Sequence, residues 1–184
     1  FAFMFLPRTM NFEEKNTDHL NEEAIPSIQA SHLSKMFGPT TALENLNLKL
    51  MPGEIFCLLG GNGAGKSTTI KLFLNFLKPT NGVVNVFGED VGLNPDRARS
   101  QITYIPEQVA LFPEFTGLEN LSYLISLSQK KQVDQSLLVQ ALNDAGLPLL
   151  AHHKKVGDYS KGMRQKVGLA LALLRKSKIL LLDE

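Results

Sequence analysis

The sequence predicts an α/β fold in which helices cover both faces of a parallel sheet. An apolar run at residues 55–59 leads through a glycine-rich loop into a helix with one apolar face, the order expected of a buried parallel strand and its crossover. A second apolar run, at residues 179–182, is followed by two carboxylates. Residues 112–158 show only helical and loop patterns, which indicates a helical insert between these parts.

The composition limits the classes of function. The 184 residues are enough for one domain with its own core, and 43% hydrophobic with 20% charged residues is typical of a soluble globular protein. A net charge of +1 supplies no basic field, so we predict no nucleic-acid partner. The single cysteine, Cys57, excludes an intramolecular disulfide and lies in an apolar run, where we expect it to pack in the core.

The first part of the chain lacks strong structural signals. We predict a flexible tail over residues 1–26, because residues 11–23 are polar and acidic. Since the chain begins with Phe1, we treat Met10 as an alternative start. Short strands are expected at 27–31, 46–50 and 55–59, the second from its alternation of leucines with polar residues.

The elements that follow the glycine loop show helical and strand patterns in turn. Ile70, Phe73, Leu74 and Leu77 share one helix face, and this helix is expected to end at Pro79. The pattern then predicts a strand at 83–87, a helix at 95–100 and a strand at 102–105.

Within the insert and beyond it, helix starts can be identified by their caps. Thr116 with Glu119 predicts a capping box, and a helix is expected to begin near Ser160. His152 and His153 are interpreted as surface residues, and His19 and His32 carry no functional signal.

The glycine loop matches the pattern G-x-x-x-x-G-K-[ST]. Its glycines let successive N–H groups point at phosphate oxygens, and the following helix adds its positive end. We expect the Lys66 ammonium between the β- and γ-phosphates of ATP and the Ser67 hydroxyl on Mg²⁺. The residues predicted to bind nucleotide here are Gly60, Gly61, Asn62, Gly63, Ala64, Gly65, Lys66, Ser67 and Thr68.

The acidic pair at the end of the last apolar run predicts metal and catalytic roles. We expect Asp183 to lie beside Mg²⁺, usually through water. Glu184 would then polarise the attacking water as a general base.

The segment Tyr159-Ser-Lys-Gly-Met-Arg-Gln165 resembles the signature motif of ATP-binding cassette (ABC) proteins, and residues 28–184 resemble that family in the order and spacing of motifs. The resemblance implies a P-loop nucleotide hydrolase core with a parallel sheet, an N-terminal antiparallel β part and an inserted α-helical subdomain. The ABC domain would then span 27–184, with the helical insert at about 112–158.

The same resemblance implies further site residues. Two such domains would form a head-to-tail dimer, in which Ser160 and Gly162 contact the ATP held by the partner domain. Phe37 would stack on adenine. Residues 104–108 resemble the loop that senses γ-phosphate, metal and the membrane partner; the family usually has Gln where Glu107 stands, with Gln108 next, and either can fill the role.

The run Ser-Lys-Gly-Met-Arg-Gln is most similar to single-domain prokaryotic exporter ATPases. This implies an ATP-binding and ATP-hydrolysing subunit that works with a membrane permease at the cytoplasmic face of the membrane. The family's dimer-loop aspartate and switch histidine lie beyond Glu184, so we expect an incomplete domain with weak or no hydrolysis on its own. Two alternatives stay open: a truncated, non-hydrolysing nucleotide-binding fragment, and a soluble ABC-type ATPase not tied to transport.

Overall fold

The computed structural model describes residues 2–5, 24–129 and 133–183. The chain forms two compact units, residues 1–102 and residues 103–184. The predicted insert, about 112–158, lies within the second unit, whereas the catalytic candidate Glu184 and most of the predicted tail lie outside the described residues.

The first unit combines an antiparallel sheet with the strand and helix that flank the glycine loop. In chain order its elements are β1 (Ala2–Phe5), β2 (Ile28–Phe37), β3 (Thr40–Leu50), β4 (Ile55–Leu58), α1 (Lys66–Phe73), β5 (Asn81–Val86), β6 (Glu89–Asp90) and α2 (Pro95–Ser100). The antiparallel sheet has the order β3-β2-β5-β6. It is the antiparallel β part that the sequence predicts, and α2 has the predicted bounds.

The strands β2 and β3 extend well beyond the runs predicted for them. They pair along their whole length up to Phe37 and Thr40, where Gly38, at φ +56°, turns the chain. Ile28 and Leu33 of β2 are fully buried with Val84 of β5 nearly so, which gives this sheet an apolar face.

The structure around β4 differs from the sequence prediction in two ways. Residues 2–5, placed in the tail, instead form β1 and pair antiparallel with β4 from Ala2↔Leu58 to Phe5↔Ile55. The run at 55–59 is not buried throughout, since Ile55 is 68% and Leu59 69% exposed. The prediction of a fully buried strand is therefore wrong at both ends of the run.

Helix α1 is shorter than its apolar pattern predicts. It ends at Phe73, and Asn75 adopts a left-handed backbone with φ 53°. A left-handed residue of this kind stops a helix before a later proline is reached, so Leu77 lies outside α1.

The second unit packs helices beside the strand that ends in Asp183. Its elements are β7 (Ile102–Ile105, whose first residue falls in the first unit), α3 (Gly117–Gln129), α4 (Gln135–Asp144), α5 (Lys161–Arg175) and β8 (Ile179–Asp183). Strands β7 and β8 are neighbours, and α3, α4 and α5 enclose an apolar cluster that includes Leu121, Ile125, Leu142 and Val167.

The predicted capping box at α3 is present. The Thr116 N–H donates to Glu119 Oε2 at 2.8 Å, and the Glu119 N–H donates to Thr116 Oγ1 at 3.2 Å. Each side chain therefore satisfies a backbone donor of the first turn, as the sequence predicts.

His152 is fully buried, so its interpretation as a surface residue is wrong. Its ring Nε2 lies 3.1 Å from the Leu147 carbonyl oxygen, and its own carbonyl accepts the N–H of Leu118. A polar ring can be buried here because the backbone of the 147–152 turn supplies a hydrogen-bond partner. In the described part of the chain, every helix is too short or too polar to cross a bilayer.

Candidate functional site

The glycine loop lies between the end of β4 and the first turn of α1, as the sequence predicts. Gly63 and Gly65 both have φ +85°. A Cβ at Gly65 would lie 2.5 Å from the Ala42 carbonyl oxygen, a distance no side chain tolerates. The chain's own backbone therefore requires glycine at position 65, both for its left-handed conformation and for this close approach.

Lys66, the first residue of α1, turns its side chain back over the loop. Its Nζ donates to the carbonyl oxygens of Gly60 at 2.6 Å and Gly61 at 2.8 Å. The ammonium thus lies at the N-terminal end of α1, where the backbone N–H groups of the first turn also carry partial positive charge. This arrangement can bind an anion such as a polyphosphate.

Phe37 ends β2 with its ring 48% exposed, so it is not a core residue. Lys35 Nζ lies 5.1 Å from the ring centroid, within the range of a cation–π contact. An exposed, partly oriented aromatic ring at the end of a strand can stack on a planar base.

In the second unit, Ser160 caps α5. Its Oγ accepts the N–H of Met163 at 3.2 Å, which is the N-cap geometry that the sequence predicts. Gly162 lies in the first turn, and a Cβ built there would come no closer than 4.0 Å, to Ser160 Oγ. Among the described residues, therefore, none requires position 162 to be glycine.

Glu107 and Gln108 follow β7 and lie near the start of α5. Glu107 Oε1 is 3.1 Å from Lys161 Nζ, and both side chains are at least half exposed. This ion pair joins the predicted sensing loop to the signature segment of the same unit. A surface cavity of about 550 Å³ is lined by Glu107, Gln108, Val109, Ala110, Leu111, Tyr159, Lys161 and Arg164. The pair joins residues 54 positions apart, so no local pattern in the sequence could have predicted it.

Asp183 lies at the end of β8 and contacts β7. The Tyr104 hydroxyl donates to Asp183 Oδ2 at 3.1 Å. Burial, and secondarily the charge and hydrogen bond of Asp183, raise the pKa of Tyr104 to about 12, so the phenol stays protonated and donates at neutral pH. No local pattern predicts this contact, because it depends on β7 and β8 being neighbours.

The residues present fit Mg²⁺ held mainly by a phosphate ligand. Among the described residues, no group of three or more His, Cys, Asp or Glu side chains could form a protein-only metal site. Mg²⁺ keeps several waters and commonly binds one or two carboxylates together with substrate phosphates. Each unit contains one predicted oxygen donor for such an ion, the Ser67 hydroxyl in the first unit and the Asp183 carboxylate in the second.

The family model described as ABC transporter matches residues 43–184. The bacitracin transport ATP-binding protein BcrA of Bacillus licheniformis is 35% identical over 160 residues, which cover 85% of this chain and 50% of that protein. The Fe(3+) ions import ATP-binding protein FbpC of Brucella suis biovar 1 is 37% identical over 159 residues, 86% of this chain and 44% of that protein. This chain thus spans about half the length of the curated relatives it matches.

Solved structures resemble the chain in fold. The dimeric ATP-binding cassette MJ0796, in a post-hydrolysis state with ADP and Pi, matches with a TM-score of 0.65 and 23% identity, covering 82% of this chain and 70% of that one. The ATP binding subunit of an ABC transporter matches with a TM-score of 0.63 and 27% identity, covering 82% and 62%. The predicted α/β fold class is confirmed, while the individual site residues stay predictions. The extent of the family match places this chain in the ABC transporter family, within its ATP-binding domain.

Proposed function

We propose that the chain is the ATP-binding and ATP-hydrolysing part of a subunit that powers an ABC transporter, of the exporter type. The observation that carries this proposal is the glycine loop, where Lys66 Nζ and the first turn of α1 concentrate positive charge over a backbone shaped by Gly65. Export is proposed from the Ser-Lys-Gly-Met-Arg-Gln run, with similarity to BcrA, a bacitracin transport protein, as support.

Each predicted residue has a place in this proposal. The loop from Gly60 to Thr68 binds the triphosphate, and the exposed ring of Phe37 stacks on adenine. Mg²⁺, when bound with ATP, neutralises charge that develops on the phosphate oxygens. Ser67 and Asp183 would hold that ion, and Glu184 would act as the general base.

The sensing role falls to Glu107 or Gln108. Glu107 is paired with Lys161, whereas Gln108 lines the same surface cavity. We propose that Gln108 contacts the nucleotide's metal, since a neutral amide oxygen coordinates Mg²⁺ without the repulsion a carboxylate would exert on nearby phosphates.

We further propose a head-to-tail dimer with a second ATP-binding domain. Gly162 supports it, because a glycine that nothing in the described chain requires is explained by close approach of a ligand held by a partner. The capped start of α5 supplies partial positive charge suited to a γ-phosphate.

The membrane partner is supported by an exposed aromatic cluster in the second unit, formed by Phe112, Phe115 and Tyr123. Ring centroids lie 5.3 Å apart for Phe112–Phe115 and 5.1 Å for Phe112–Tyr123. All three side chains are exposed, and contiguous apolar surface of this kind marks protein interfaces. We propose that a permease subunit covers this aromatic cluster and that the chain works as a peripheral protein at the cytoplasmic membrane face.

Nucleotide binding is tested by comparing Lys66→Ala with Lys71→Ala, using the fluorescent analogue mant-ATP with Mg²⁺. Lys71 is an exposed lysine in the last turn of the same helix and is a matched control for lost charge. We expect Lys66→Ala to weaken binding at least about tenfold, with Lys71→Ala close to wild type. Equal affinity of the three proteins would remove the basis of the assignment.

The permease proposal is tested by co-expression with a candidate membrane permease subunit. Phe115→Ser should reduce co-purification while leaving mant-ATP affinity unchanged. Leu173→Ser, at an exposed apolar position on α5, is the matched control. If both substitutions reduce co-purification equally, nonspecific hydrophobic association rather than a specific interface explains the binding.

A further inference from the structure

Tyr104 and Asp183 are joined across two neighbouring strands of the second unit. The Tyr104 hydroxyl, on β7, donates to Asp183 Oδ2 at 3.1 Å, at the end of β8. A second contact joins β7 to the segment just before β8, where Thr103 Oγ1 lies 2.6 Å from Ser177 Oγ.

A carboxylate at a strand end can rotate about its last side-chain bond, because terminal torsions of Asp have broad minima. A hydrogen bond to one oxygen restricts that rotation and so fixes the direction in which the other oxygen points. Mutation of a residue that orients a metal-binding carboxylate in this way typically costs about 10- to 100-fold in metal affinity.

We infer that Tyr104 is a positioning residue, which holds the Asp183 carboxylate in the orientation needed to bind the hydrated Mg²⁺ of Mg·ATP. This inference rests on the metal role proposed for Asp183. Tyr104 acts through Asp183 and touches neither nucleotide nor metal, so its hydroxyl matters only when Mg²⁺ is present.

The competing explanation is that Tyr104 only fastens β7 to β8. The chain offers a control for this, because the Thr103–Ser177 bond joins the same region without contacting Asp183. Tyr104→Phe removes the hydroxyl of the first contact, and Thr103→Val removes the Thr103 hydroxyl of the second.

The experiment measures the mant-ATP affinity of the full chain in Mg²⁺ and in EDTA, and takes the ratio of the two affinities. We expect Tyr104→Phe to reduce this ratio about tenfold, chiefly through the Mg²⁺ condition. Asp183→Asn should reduce it at least as much, and Thr103→Val should leave it unchanged. Thermal unfolding of each variant with EDTA reports on folding separately.

The outcomes separate this inference from the proposed function. An unchanged ratio in Tyr104→Phe overturns the inference, as does an equal reduction in Thr103→Val, which indicates a strand-fastening role. If wild type binds mant-ATP equally with Mg²⁺ and EDTA, the metal role of Asp183 fails together with the inference. Loss of binding in Lys66→Ala shows, in that case, that the proposed nucleotide site itself still stands.

Discussion

The glycine loop and the start of α5 both carry a motif glycine, Gly65 just before α1 and Gly162 in the first turn of α5, but the two glycines have different causes. At Gly65 the chain's own fold leaves no room for a Cβ, which would lie 2.5 Å from Ala42 O. At Gly162 the nearest atom to such a Cβ would be Ser160 Oγ, at 4.0 Å. One glycine is explained by folding, whereas the other, as far as the described residues go, is left for binding to explain.

This difference shows how a structure separates two kinds of motif residue. Glycine costs stability in a helix relative to alanine, so a chain gains nothing from Gly162 as an isolated fold. A residue that is unfavourable for folding and unexplained by packing is a candidate for contact with a ligand or partner. The first three of the following predictions test this contrast, and the fourth concerns the capping box of α3.

The largest effect is expected at the loop. Gly65→Ala should lower the free energy of unfolding by about 2 kcal/mol or more, because alanine must adopt φ +85° and also displace the backbone at Ala42. Urea unfolding followed by circular dichroism measures this. Gly61→Ala is the control: nothing lies within 4 Å of its Cβ, so the change should stay within about 0.5 kcal/mol. A Gly65→Ala protein as stable as wild type would contradict the folding explanation.

The second effect concerns the cap of α5. Ser160→Ala should cost about 1 kcal/mol, because the Met163 N–H loses its acceptor. Ser160→Asp should restore that stability, since aspartate caps equally well. It should nevertheless weaken ATP-dependent dimer formation, measured by light scattering, by placing a negative charge where a phosphate is expected. Full dimer formation by Ser160→Asp would argue against a phosphate at this helix end.

Gly162→Ala tests most directly whether Gly162 serves binding rather than folding. We expect a gain of about 0.5 kcal/mol in the free energy of unfolding, because alanine favours helix and meets open space. The same variant should lose ATP-dependent association, measured by sedimentation at fixed protein concentration. A variant that is more stable and still associates normally would show that Gly162 has no role in close approach.

The smallest expected effect is a pH dependence of stability, which comes from the capping box of α3 in the second unit. The N–H and hydroxyl hydrogen bonds of Thr116 hold the pKa of the Glu119 carboxyl below its usual range. Because the folded-state pKa is depressed, this stability is present above the unfolded pKa, near 4.5, and is lost as pH falls through the lower folded value. When the midpoint of thermal unfolding is measured against pH, Glu119→Gln should therefore reduce its fall at acid pH. Glu44→Gln, at an exposed residue of β3, should leave that fall unchanged.

Much of the fold follows from local patterns. The bounds of α2, the capping box at Thr116 and the N-cap at Ser160 depend on neighbouring residues, so the sequence predicts them correctly. The early end of α1 depends on the left-handed backbone of Asn75, which the apolar pattern does not report. His152 can be buried because its ring contacts the Leu147 carbonyl oxygen. That contact depends on the folded turn, so the polar residue type alone suggests a surface position.

The candidate site likewise contains residues that the sequence predicts and contacts that it does not. The loop, the signature segment and Asp183 can be identified as motifs, because their chemistry requires particular residue types at fixed spacing. The Glu107–Lys161 ion pair and the Tyr104–Asp183 hydrogen bond cannot, since each joins segments more than 50 residues apart. Glu184 lies outside the described residues, so its role as general base stays a prediction.

The irregular pairing of β2 with β3 determines where Phe37 points. The register shifts between Ala30 and Leu33, between Leu33 and Lys35, and between Lys35 and Met36, and His32 lies within the first shift at φ 49°. The first shift places an extra residue on β2, where three steps oppose two of β3, whereas the other two shifts place the extra residue on β3. Side chains of a strand alternate between faces, so an extra residue in β2 reverses the side on which its later residues emerge. Consequently, inserting or deleting a single residue anywhere between Ala30 and Met36 would turn the aromatic ring to the opposite face of the strand, without changing the ring itself or any residue of the phosphate loop.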